Sequence, residues 1–561
     1  MSFLKNYGAM LRREMAPPTW IHRHRDPGFS DDENSVKSQK YDARVTTTEL
    51  KSAESPSEAH EIEPEDTGSK PAGRSILWPV IAAGAGLFSD GYINGNASTI
   101  NSMLSKLYPK SYEQSQVMSD FTALTFLGTV VGMLLFGFIS DYWSRKAGML
   151  ISTAILIIFP ILGAGSWGIG MPEDPTGMFN MLVTMRVFMG LGIGGEYPAG
   201  SVACAEVSQR LPSGTRNRWF ILFTDFMIDC AFVVVSTVAW VLLYICGVPD
   251  YPTEGNTHGL QAAWRVLLGL GAIPPLSLLY LRFKFDESEQ FKQNNLKKAK
   301  KTPWWIIIKR YAPRGLLVGV IWFIYDFMTY SFGNYSSIIL GSVVPTKMID
   351  GEEVSNFKSN LGWNIVFNLF YIPGSFLGAF SSDYIGPRLT LTTGFALQGM
   401  VGFIMGAQYN TLTKNIAGTT VAYGIFQTLG EFGPGDNSGL ISSKTCASAV
   451  RGRYYGIVAA IAKVGGLAGG YAFPAIANHF EGGLEGIEGQ RVIVYVSSGL
   501  CFLAAILSLF IPEVSQEAIA MEDIKFRHIL LENGYDLHDL NPEISEAEIK
   551  ATELTARVSV Q

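Results

Sequence analysis

About a dozen apolar runs, each roughly 20 residues long, follow one another along the sequence, with short polar segments between them. A helix of that length crosses a hydrocarbon core of about 30 Å. Inside such a core every backbone N–H and C=O group must bond within the protein, and a helix achieves this in a single segment. Hydrophobic residues make up 48% of the 561 residues and charged residues only 16%. The pattern therefore predicts an all-α membrane protein rather than a set of soluble domains.

The apolar runs form two groups of six, with a polar, basic segment between the groups. Twelve transmembrane helices are predicted near residues 78–101, 118–140, 148–168, 178–204, 217–246, 262–283, 315–342, 360–381, 389–408, 416–442, 452–478 and 491–511. The predicted domains are a tail at 1–75, an N-terminal half at 76–284, a central linker at 285–314, a C-terminal half at 315–512 and a second tail at 513–561. Because residues 1–75 are polar and poor in large apolar side chains, we expect that tail to be disordered.

The charged residues of the short loops predict the orientation of the chain. Lysine and arginine accumulate on the cytoplasmic side of membrane proteins. Here they fall in alternate loops, for example at Arg145, Arg218, Arg388 and Arg451, and the intervening loops carry acidic residues. We therefore expect both tails and the central linker to be cytoplasmic.

The two groups of helices carry an internal repeat. Three acidic residues of the first half recur in the second at separations of 235 to 242 residues: Asp90 with Asp326, Asp141 with Asp383, and Glu196 with Glu431. Two copies of one six-helix plan place helices 1, 4, 7 and 10 at equivalent positions around a shared axis. The sequence thus predicts two pseudo-symmetric halves.

The loop between helices 2 and 3 reads Gly137-Phe-Ile-Ser-Asp141-Tyr-Trp-Ser-Arg145-Lys146. It resembles the G-x-x-x-D-x-x-G-R-[KR] signature of the major facilitator superfamily, with Ser144 in place of the usual glycine. The resemblance implies the twelve-helix major facilitator fold, in which Asp141 and Arg145 form a conformational latch between the halves. A surface ion pair worth less than about 1 kcal/mol is the alternative interpretation.

Ionisable residues inside the apolar runs are the main indication of function, because each costs at least about 2.5 kcal/mol at the centre of a helix. They are Asp90, Glu196, Asp225, Asp229, Asp326, Glu431, Asp436 and Lys463. Carboxylates in a low-dielectric cavity take up protons reversibly, so these acids are candidates for proton coupling. Lys463 requires an anion, which is either a bound substrate or an internal partner such as Asp225 or Asp229.

The glycine-rich helix 4 supports two interpretations of its arginine and excludes a nucleotide site. Arg186-Val-Phe-Met-Gly190 resembles the R-x-x-x-G signature of proton-coupled facilitators. A side chain that reaches the outer membrane interface explains Arg186 equally well. The following glycines fit the dinucleotide fingerprint G-x-G-x-x-G, but no strand precedes them, so we assign them to close helix packing.

Three motifs resemble the phosphate:proton symporter branch of the superfamily. They are Gly-Gly-Glu196-Tyr197-Pro198, Trp322-x-x-x-Asp326-x-x-x-Tyr330 and Lys463-Val-Gly. The resemblance implies that Tyr197, Trp322, Asp326 and Tyr330 line the substrate site and that Lys463 meets the phosphate. It also implies that Asp90, Glu196 and Asp326 are sites of protonation. The residues at 322, 326 and 330 recur every four positions, so one face of helix 7 presents all three.

Helix 10 is similar to one group within that branch, the fungal glycerophosphodiester permeases. The similarity lies in Gly430-Glu431-Phe-Gly-Pro-Gly-Asp436-Asn437 and extends to Thr224-Asp225-Phe-Met-Ile-Asp229 in helix 5. It adds Glu431 and Asn437 to the expected substrate site. Two acids one turn apart suit a ligand with hydroxyl groups or a charged head group beside its phosphate. Asp225 and Asp229 also remain among the proton-coupling candidates.

These observations predict proton-coupled uptake of glycerophosphoinositol, glycerophosphocholine or both by alternating access at the plasma membrane. An inorganic phosphate:proton symporter and a transporter that doubles as a nutrient receptor are the alternatives. We expect no enzyme, since no nucleophile with a base and no metal cluster is evident. We also expect a monomer with no cofactor or metal, protons as the coupling ion, and, at a net charge of -6, no nucleic-acid partner.

Overall fold

The computed structural model describes residues 73–113, 116–171, 173–253, 256–288, 291–292, 299–300, 302–349, 352–540 and 544. The tail predicted over 1–75 lies outside the described residues as far as 72, and helix begins at Gly73. The end of the second predicted tail, after residue 540, also lies outside them apart from residue 544.

The first half consists of six helices with the following bounds. They are α1 (Gly73–Gly84 and Phe88–Leu107, joined by the 3-10 turn Ala85–Leu87), α2 (Val117–Tyr142), α3 (Arg145–Ala164), α4 (Thr176–Ser208), α5 (Arg216–Ile245) and α6 (Leu260–Phe283). Breaks of the helical pattern divide α4, α5 and α6, and a short helix, Pro109–Glu113, follows α1.

The second half repeats this arrangement. Its helices are α7 (Trp304–Gly341), α8 (Phe357–Tyr384), α9 (Pro387–Ala407), α10 (Ile416–Gly430 and Asp436–Lys444), α11 (Arg451–Ala477) and α12 (Ile487–Ser508). A hairpin of two antiparallel strands, β1 (Thr346–Ile349) and β2 (Glu352–Ser355), joins α7 to α8. Short helices follow α9 (Tyr409–Leu412) and lie near the C-terminus (Leu537–Leu540), and a longer one, α13 (Ala518–Glu532), follows α12.

Ten of these helices in the described part of the chain are long and apolar enough to cross a membrane. The other two crossings are α1 and α10, which are interrupted and rich in polar residues. The twelve-helix fold predicted from the sequence is therefore confirmed.

Helix α7 begins at Trp304 rather than near residue 315, inside the segment predicted to be linker. The charged residues of this segment suggested a solvated linker, but a carboxylate of α13 pairs with one of them. Arg310 donates to Glu522 at 2.7 Å, and the hydroxyl of Tyr311 donates to the same carboxylate at 3.0 Å. Burial of these groups against α13 allows the helix to continue beyond its apolar part.

Contacts between the halves follow the symmetry expected of a repeat. Helix α2 packs against α11, α5 packs against α8, and α1 packs against α7. When the first half is exchanged for the second, α2 becomes α8 and α11 becomes α5, so the first two interfaces are equivalent. The halves thus meet around a common axis, with α1 and α7 facing each other across it.

The same irregularity occurs in α4 and α10. Each contains a π-helical segment, Glu196–Ser201 in α4 and Glu431–Gly435 in α10. Each segment includes a proline, Pro198 or Pro434, which supplies no N–H group to the regular ladder. Such widened turns are frequent at functional sites. Both begin at the glutamates that the sequence paired as equivalent.

Glycines bring α2 and α4 into backbone contact. A Cβ atom added to Gly190 would lie 2.0 Å from the carbonyl oxygen of Thr125, and one added to Gly128 would lie 1.9 Å from that of Val187. Small residues permit this approach between membrane helices, where van der Waals packing drives association.

Gly190→Ala should destabilise the protein, because the added methyl forces α2 and α4 apart. Overpacking of this kind costs about 1–3 kcal/mol. We expect a lower melting temperature and a lower yield of monodisperse protein after detergent extraction.

Gly499→Ala in α12 is the matched control, since nothing lies within 4 Å of its added methyl. It should be neutral, or stabilising by up to about 1 kcal/mol. Equal melting temperatures for the two variants would contradict the assigned packing.

Candidate functional site

A buried cavity lies between the halves. It is lined by α1, α4 and α5 of the first half and by α7, α8, α10 and α11 of the second. Its aromatic and ionisable lining residues are Tyr197, Phe220, Asp225, Asp229, Phe232, Trp322, Tyr325, Asp326, Tyr330, Tyr371, Glu431, Asp436, Tyr455 and Lys463. The helices that carry most of them contain the sequence motifs singled out above.

One wall of the cavity is built around the amine of Lys463, which is 1% exposed. The amine donates to the hydroxyl of Tyr330 at 2.6 Å and lies 3.3 Å from Oδ2 of Asp326 and 3.9 Å from Oδ2 of Asp90. It also lies 5.0 Å from the ring centroid of Tyr197. We call Lys463, Asp326, Asp90 and Tyr330 the lysine site.

Asp90 lies behind the lining, where it holds two tyrosines in place. Tyr197 donates a short hydrogen bond to Oδ2 of Asp90, and Tyr330 donates to the same oxygen at 3.4 Å. Neither oxygen of Asp326 has a hydrogen-bond partner among the described residues. Trp322 packs near Tyr197, with ring centroids 6.3 Å apart. The structure therefore brings together six residues that the sequence analysis singled out: Asp90, Tyr197, Trp322, Asp326, Tyr330 and Lys463.

A second group of acids, which we call the acidic cluster, consists of Asp225, Asp229, Glu431 and Asp436. Carboxylate oxygens of the first three lie within 4.8 Å of one another. Asp225 and Asp229 are one turn apart on α5, and the other two are contributed by the π-helical turn of α10 and the residue after it. The hydroxyl of Tyr325 donates to Glu431 at 2.6 Å. Lys463 pairs with Asp326 and Asp90 rather than with Asp225 or Asp229.

Amides that the sequence analysis did not select also line the cavity. Asn94, Asn334, Asn364 and Asn368 are all buried there. Asn364 and Asn368 are one turn apart in α8, and this spacing is a signal that sequence reasoning could have used. Such amides both donate and accept hydrogen bonds, so they suit a ligand with hydroxyl groups.

Glu196, which the resemblance implies is a site of protonation, does not line the cavity. Its carboxylate accepts hydrogen bonds from Arg282 of α6 at 2.5 and 2.6 Å and from Ser152 of α3 at 2.6 Å. Arg282 also donates to Thr153 at 2.5 Å. Both members of the pair are 1% exposed. Glu196 therefore fastens α4 to α3 and α6 within the first half.

The buried positions of Asn437 and Arg186 decide two further predictions. Asn437 was expected at the substrate site but does not line the cavity, because its side chain bonds to Ser382 at 2.7 Å and to the carbonyl of Gly433 at 3.0 Å. Arg186 does not reach the membrane interface, since it is fully buried and donates to the carbonyl of Ile93 at 2.6 Å.

Asp141 joins the two halves at the end of the molecule that carries the basic loops. Arg145 donates to it at 2.7 Å, and the backbone N–H groups of Gly452 and Arg453 also donate to it at 2.7 Å. A carboxylate at the start of α11 is stabilised by the unpaired N–H groups and the helix dipole. The ion pair is buried in an interface between the halves, so it is not the exposed pair of the alternative interpretation.

The equivalent residue of the second half makes the equivalent contact. Asp383 accepts a hydrogen bond at 2.6 Å from Arg218, near the start of α5. Glu206 adds a bridge between Arg145 at 3.2 Å and Arg451 at 3.1 Å. The contacts between Arg218 and Asp383 and between Glu206 and Arg451 cross from one half to the other.

Helix α13 packs against the end of the molecule that carries the basic loops. Asp523 accepts hydrogen bonds at 2.6 Å from the backbone and the hydroxyl of Ser448, just before α11. Burial raises the pKa of Asp523, an effect opposed by Arg451 and by the bonds from Ser448. The segment predicted to be a tail is thus packed against the helical body at this point.

Comparison with known sequences agrees with this geometry. Residues 78–520 match the family model described as Sugar (and other) transporter. The chain is 48% identical over 465 residues to the glycerophosphocholine permease GIT4 of Candida albicans, covering 82% of this chain and 83% of that one. It is 47% identical over 468 residues to the major glycerophosphoinositol permease GIT3 of the same species, covering 83% and 84%.

A solved structure supports the fold. The proton:xylose symporter XylE of E. coli, described as a major facilitator superfamily protein, matches 80% of this chain and 100% of its own with a TM-score of 0.60. The two sequences are 18% identical, so this likeness concerns the fold alone.

Glu196→Gln should lower thermal stability and leave the dependence of uptake on the proton gradient unchanged. The substitution leaves the buried charge of Arg282 without its counterion, and loss of one partner of a buried pair costs about 3–5 kcal/mol. Differential scanning fluorimetry and uptake at several external pH values measure the two effects.

The double variant Glu196→Gln/Arg282→Met should recover part of the lost stability, because it removes the unpaired cation as well. A stable Glu196→Gln protein whose uptake no longer depends on the proton gradient would instead make Glu196 a proton carrier.

Proposed function

Since this chain belongs to the Sugar (and other) transporter family and has the major facilitator fold, we propose that it is a proton-coupled glycerophosphodiester transporter. It binds its substrate in the cavity between the halves and releases it on the other side of the membrane by alternating access. Its similarity to permeases named for glycerophosphocholine and glycerophosphoinositol supports this substrate class.

The buried lysine site is the observation that carries the proposal. A phosphodiester bears one negative charge, and Lys463 supplies a desolvated cation with donors on one side of a closed cavity. Hydrogen bonds between charged groups are about twice as strong as neutral ones. The hydroxyl of Tyr330 and the indole of Trp322 add donors nearby, and the buried amides offer partners for the glycerol hydroxyl groups.

The carboxylates of the lysine site provide the link to protons. Lys463 forms ion pairs with Asp326 and Asp90. An arriving phosphate competes for the same cation, so a carboxylate that loses its partner is best stabilised by binding a proton. Asp225 and Asp229 form a second pair of proton carriers, because like charges this close repel one another in a low dielectric.

Alternating access requires that contacts at the two ends of the cavity open in turn. At the basic end the halves are held together by Asp141, which pairs with Arg145 and accepts backbone N–H groups at the start of α11. At the other end Ser98 of α1 lies 3.3 Å from Ser336 of α7, and its hydroxyl accepts the backbone N–H of Ser337 at 3.0 Å. These few polar contacts are the gates of the proposed transport cycle.

The placement in the cell follows from the same premise. The basic end faces the cytoplasm, so that Asp141, α13 and both tails are cytoplasmic. The protein acts in the plasma membrane as a monomer, since each chain contains a complete cavity. Protons are the coupling ion, and the transport cycle needs no other cofactor.

Uptake of labelled substrates in cells that lack their own permeases tests this function. We expect accumulation of glycerophosphoinositol, glycerophosphocholine or both, and its loss when a protonophore collapses the proton gradient, because the gradient drives entry.

Labelled inorganic phosphate is the comparison. Uptake of phosphate alone would make the protein a phosphate symporter, and uptake that persists with the protonophore would remove proton coupling. A nutrient response without accumulation of any of the three compounds would favour a receptor.

Lys463→Ala should reduce uptake to less than about a tenth of wild type, because it removes a charged hydrogen bond worth about 1.5–3 kcal/mol. Surface biotinylation should show normal amounts of protein. Lys414→Ala removes an exposed lysine of the second half and should transport normally. Retained uptake by Lys463→Ala would remove the role assigned to the lysine site.

A further inference from the structure

The charges that line the cavity do not balance for an anionic substrate. Five lining carboxylates face a single lining amine among the described residues: Asp225, Asp229, Asp326, Glu431 and Asp436 face Lys463. One acid and one amine would suffice to bind a phosphodiester and a proton. Asp225 and Asp229 carry protons in the proposed function, so Glu431 and Asp436 are the members of the acidic cluster whose negative charge repels a simple anion, and burial makes such charge costly.

The acidic cluster is aimed into the cavity and is only partly satisfied. Apart from the neighbouring carboxyl of Asp225, no group of the described residues forms a hydrogen bond with either oxygen of Asp436, and one oxygen of Asp229 has no hydrogen-bond partner there. Asp436 and Asp229 are each 1% exposed. Native proteins pair nearly all buried polar atoms, so these oxygens indicate a site for a positively charged group.

Aromatic rings line the same part of the cavity. Phe232 and Tyr371 have ring centroids 5.2 Å apart, and Tyr325 donates its hydroxyl to Glu431. Phe232 follows Asp229 by three residues on α5, so both lie on one face of that helix. Carboxylates together with aromatic faces are the surroundings in which proteins bind quaternary ammonium groups.

An organic cation fits these surroundings better than a metal ion. Calcium and magnesium are bound by shells of six or more oxygen ligands, to which aromatic ring faces contribute nothing. A trimethylammonium group has no hydrogen to donate and is stabilised by the ring faces and by the diffuse negative charge.

The lysine site and the acidic cluster are close enough for one small molecule to reach both. Asp326 at the lysine site and Tyr325 at the acidic cluster are consecutive residues of α7, with Cα atoms about 3.8 Å apart. Their side chains leave the helix in different directions, one toward Lys463 and the other toward Glu431.

We propose that the acidic cluster, with Phe232, Tyr325 and Tyr371, binds the quaternary ammonium head group of a zwitterionic phosphodiester while Lys463 binds its phosphate. This inference rests on the proposed function and narrows its substrate class. The cavity then prefers glycerophosphocholine, whose charges match both sites, to glycerophosphoinositol, which presents only an anion and hydroxyl groups.

The test compares KM values for labelled glycerophosphocholine and glycerophosphoinositol in the wild type and in Asp436→Asn and Glu431→Gln. We expect each variant to raise KM for glycerophosphocholine by about tenfold, the factor that corresponds to 1.4 kcal/mol. KM for glycerophosphoinositol should stay the same or fall, because a repelling charge is removed. Glu488→Gln, which removes an exposed carboxylate paired with Arg491, should change neither value.

An analogue that lacks only the positive charge of the head group tests the same inference on the unmodified protein. In the 3,3-dimethylbutyl phosphodiester of glycerol, carbon replaces the choline nitrogen and the shape is kept. It should compete with glycerophosphocholine at least about tenfold more weakly than unlabelled glycerophosphocholine does. Equal competition, or parallel changes of both KM values in the variants, would overturn the inference and leave the proposed function intact.

Thermal stabilisation of the purified full-length protein separates the inference from the proposed function. If the cells take up neither substrate, the proposed function fails. Stabilisation by glycerophosphocholine but not by the analogue that lacks the positive charge would still support the head-group site. Stabilisation by neither compound, or by calcium or magnesium chloride alone, would overturn it. Thermal stabilisation and competition by the analogue also test the head-group site if the variants do not reach the cell surface.

Discussion

The need to compensate charge in a low-dielectric interior organises this protein. An ion taken from water into such an interior loses several kcal/mol of solvation, and only a close counterion with good geometry repays it. Glu196 has a counterion of this kind in Arg282, and Asp141 has one in Arg145. The first pair fixes helices within one half. The second pair also lies within the first half, where it holds Asp141 in position to accept the backbone N–H groups of Gly452 and Arg453 across the interface. In the lysine site Asp326 and Asp90 meet the same requirement, and in the proposed function the phosphate of the substrate competes with them for Lys463.

The two halves repeat one plan and then diverge where function demands it. Glu196 and Glu431 begin matching π-helical turns in α4 and α10. The first meets an arginine from α6, whereas the second meets Tyr325 and the acids of α5. The same backbone feature is therefore structural in one half and faces the cavity in the other. A symmetric scaffold thus produces a cavity with a buried lysine on one wall and the acidic cluster on another.

Sequence reasoning succeeded where short-range periodicity decides the outcome. The twelve helices follow from runs of apolar residues, and the shared face of Trp322, Asp326 and Tyr330 follows from their spacing of four. It failed where the partner lies far along the chain. Glu196 and Arg282 are separated by 86 residues, and only helix packing brings them together. The early start of α7 likewise depends on Glu522 of α13, which compensates a charge that otherwise signals a loop. The direction of Asn437, toward Ser382 instead of the cavity, depends on the local widening of α10.

The presence of the lysine site and the acidic cluster in one cavity also bears on how transport uses the membrane potential. An inside-negative potential opposes the entry of one negative charge by about 2.3 kcal/mol per 100 mV. A monoanion with one proton crosses without net charge, so the potential neither drives nor opposes it. A zwitterion with one proton carries a net positive charge inward and gains the full electrical term. In the proposed scheme the acidic cluster therefore does more than select a head group, because the cation it admits makes the potential available to drive uptake.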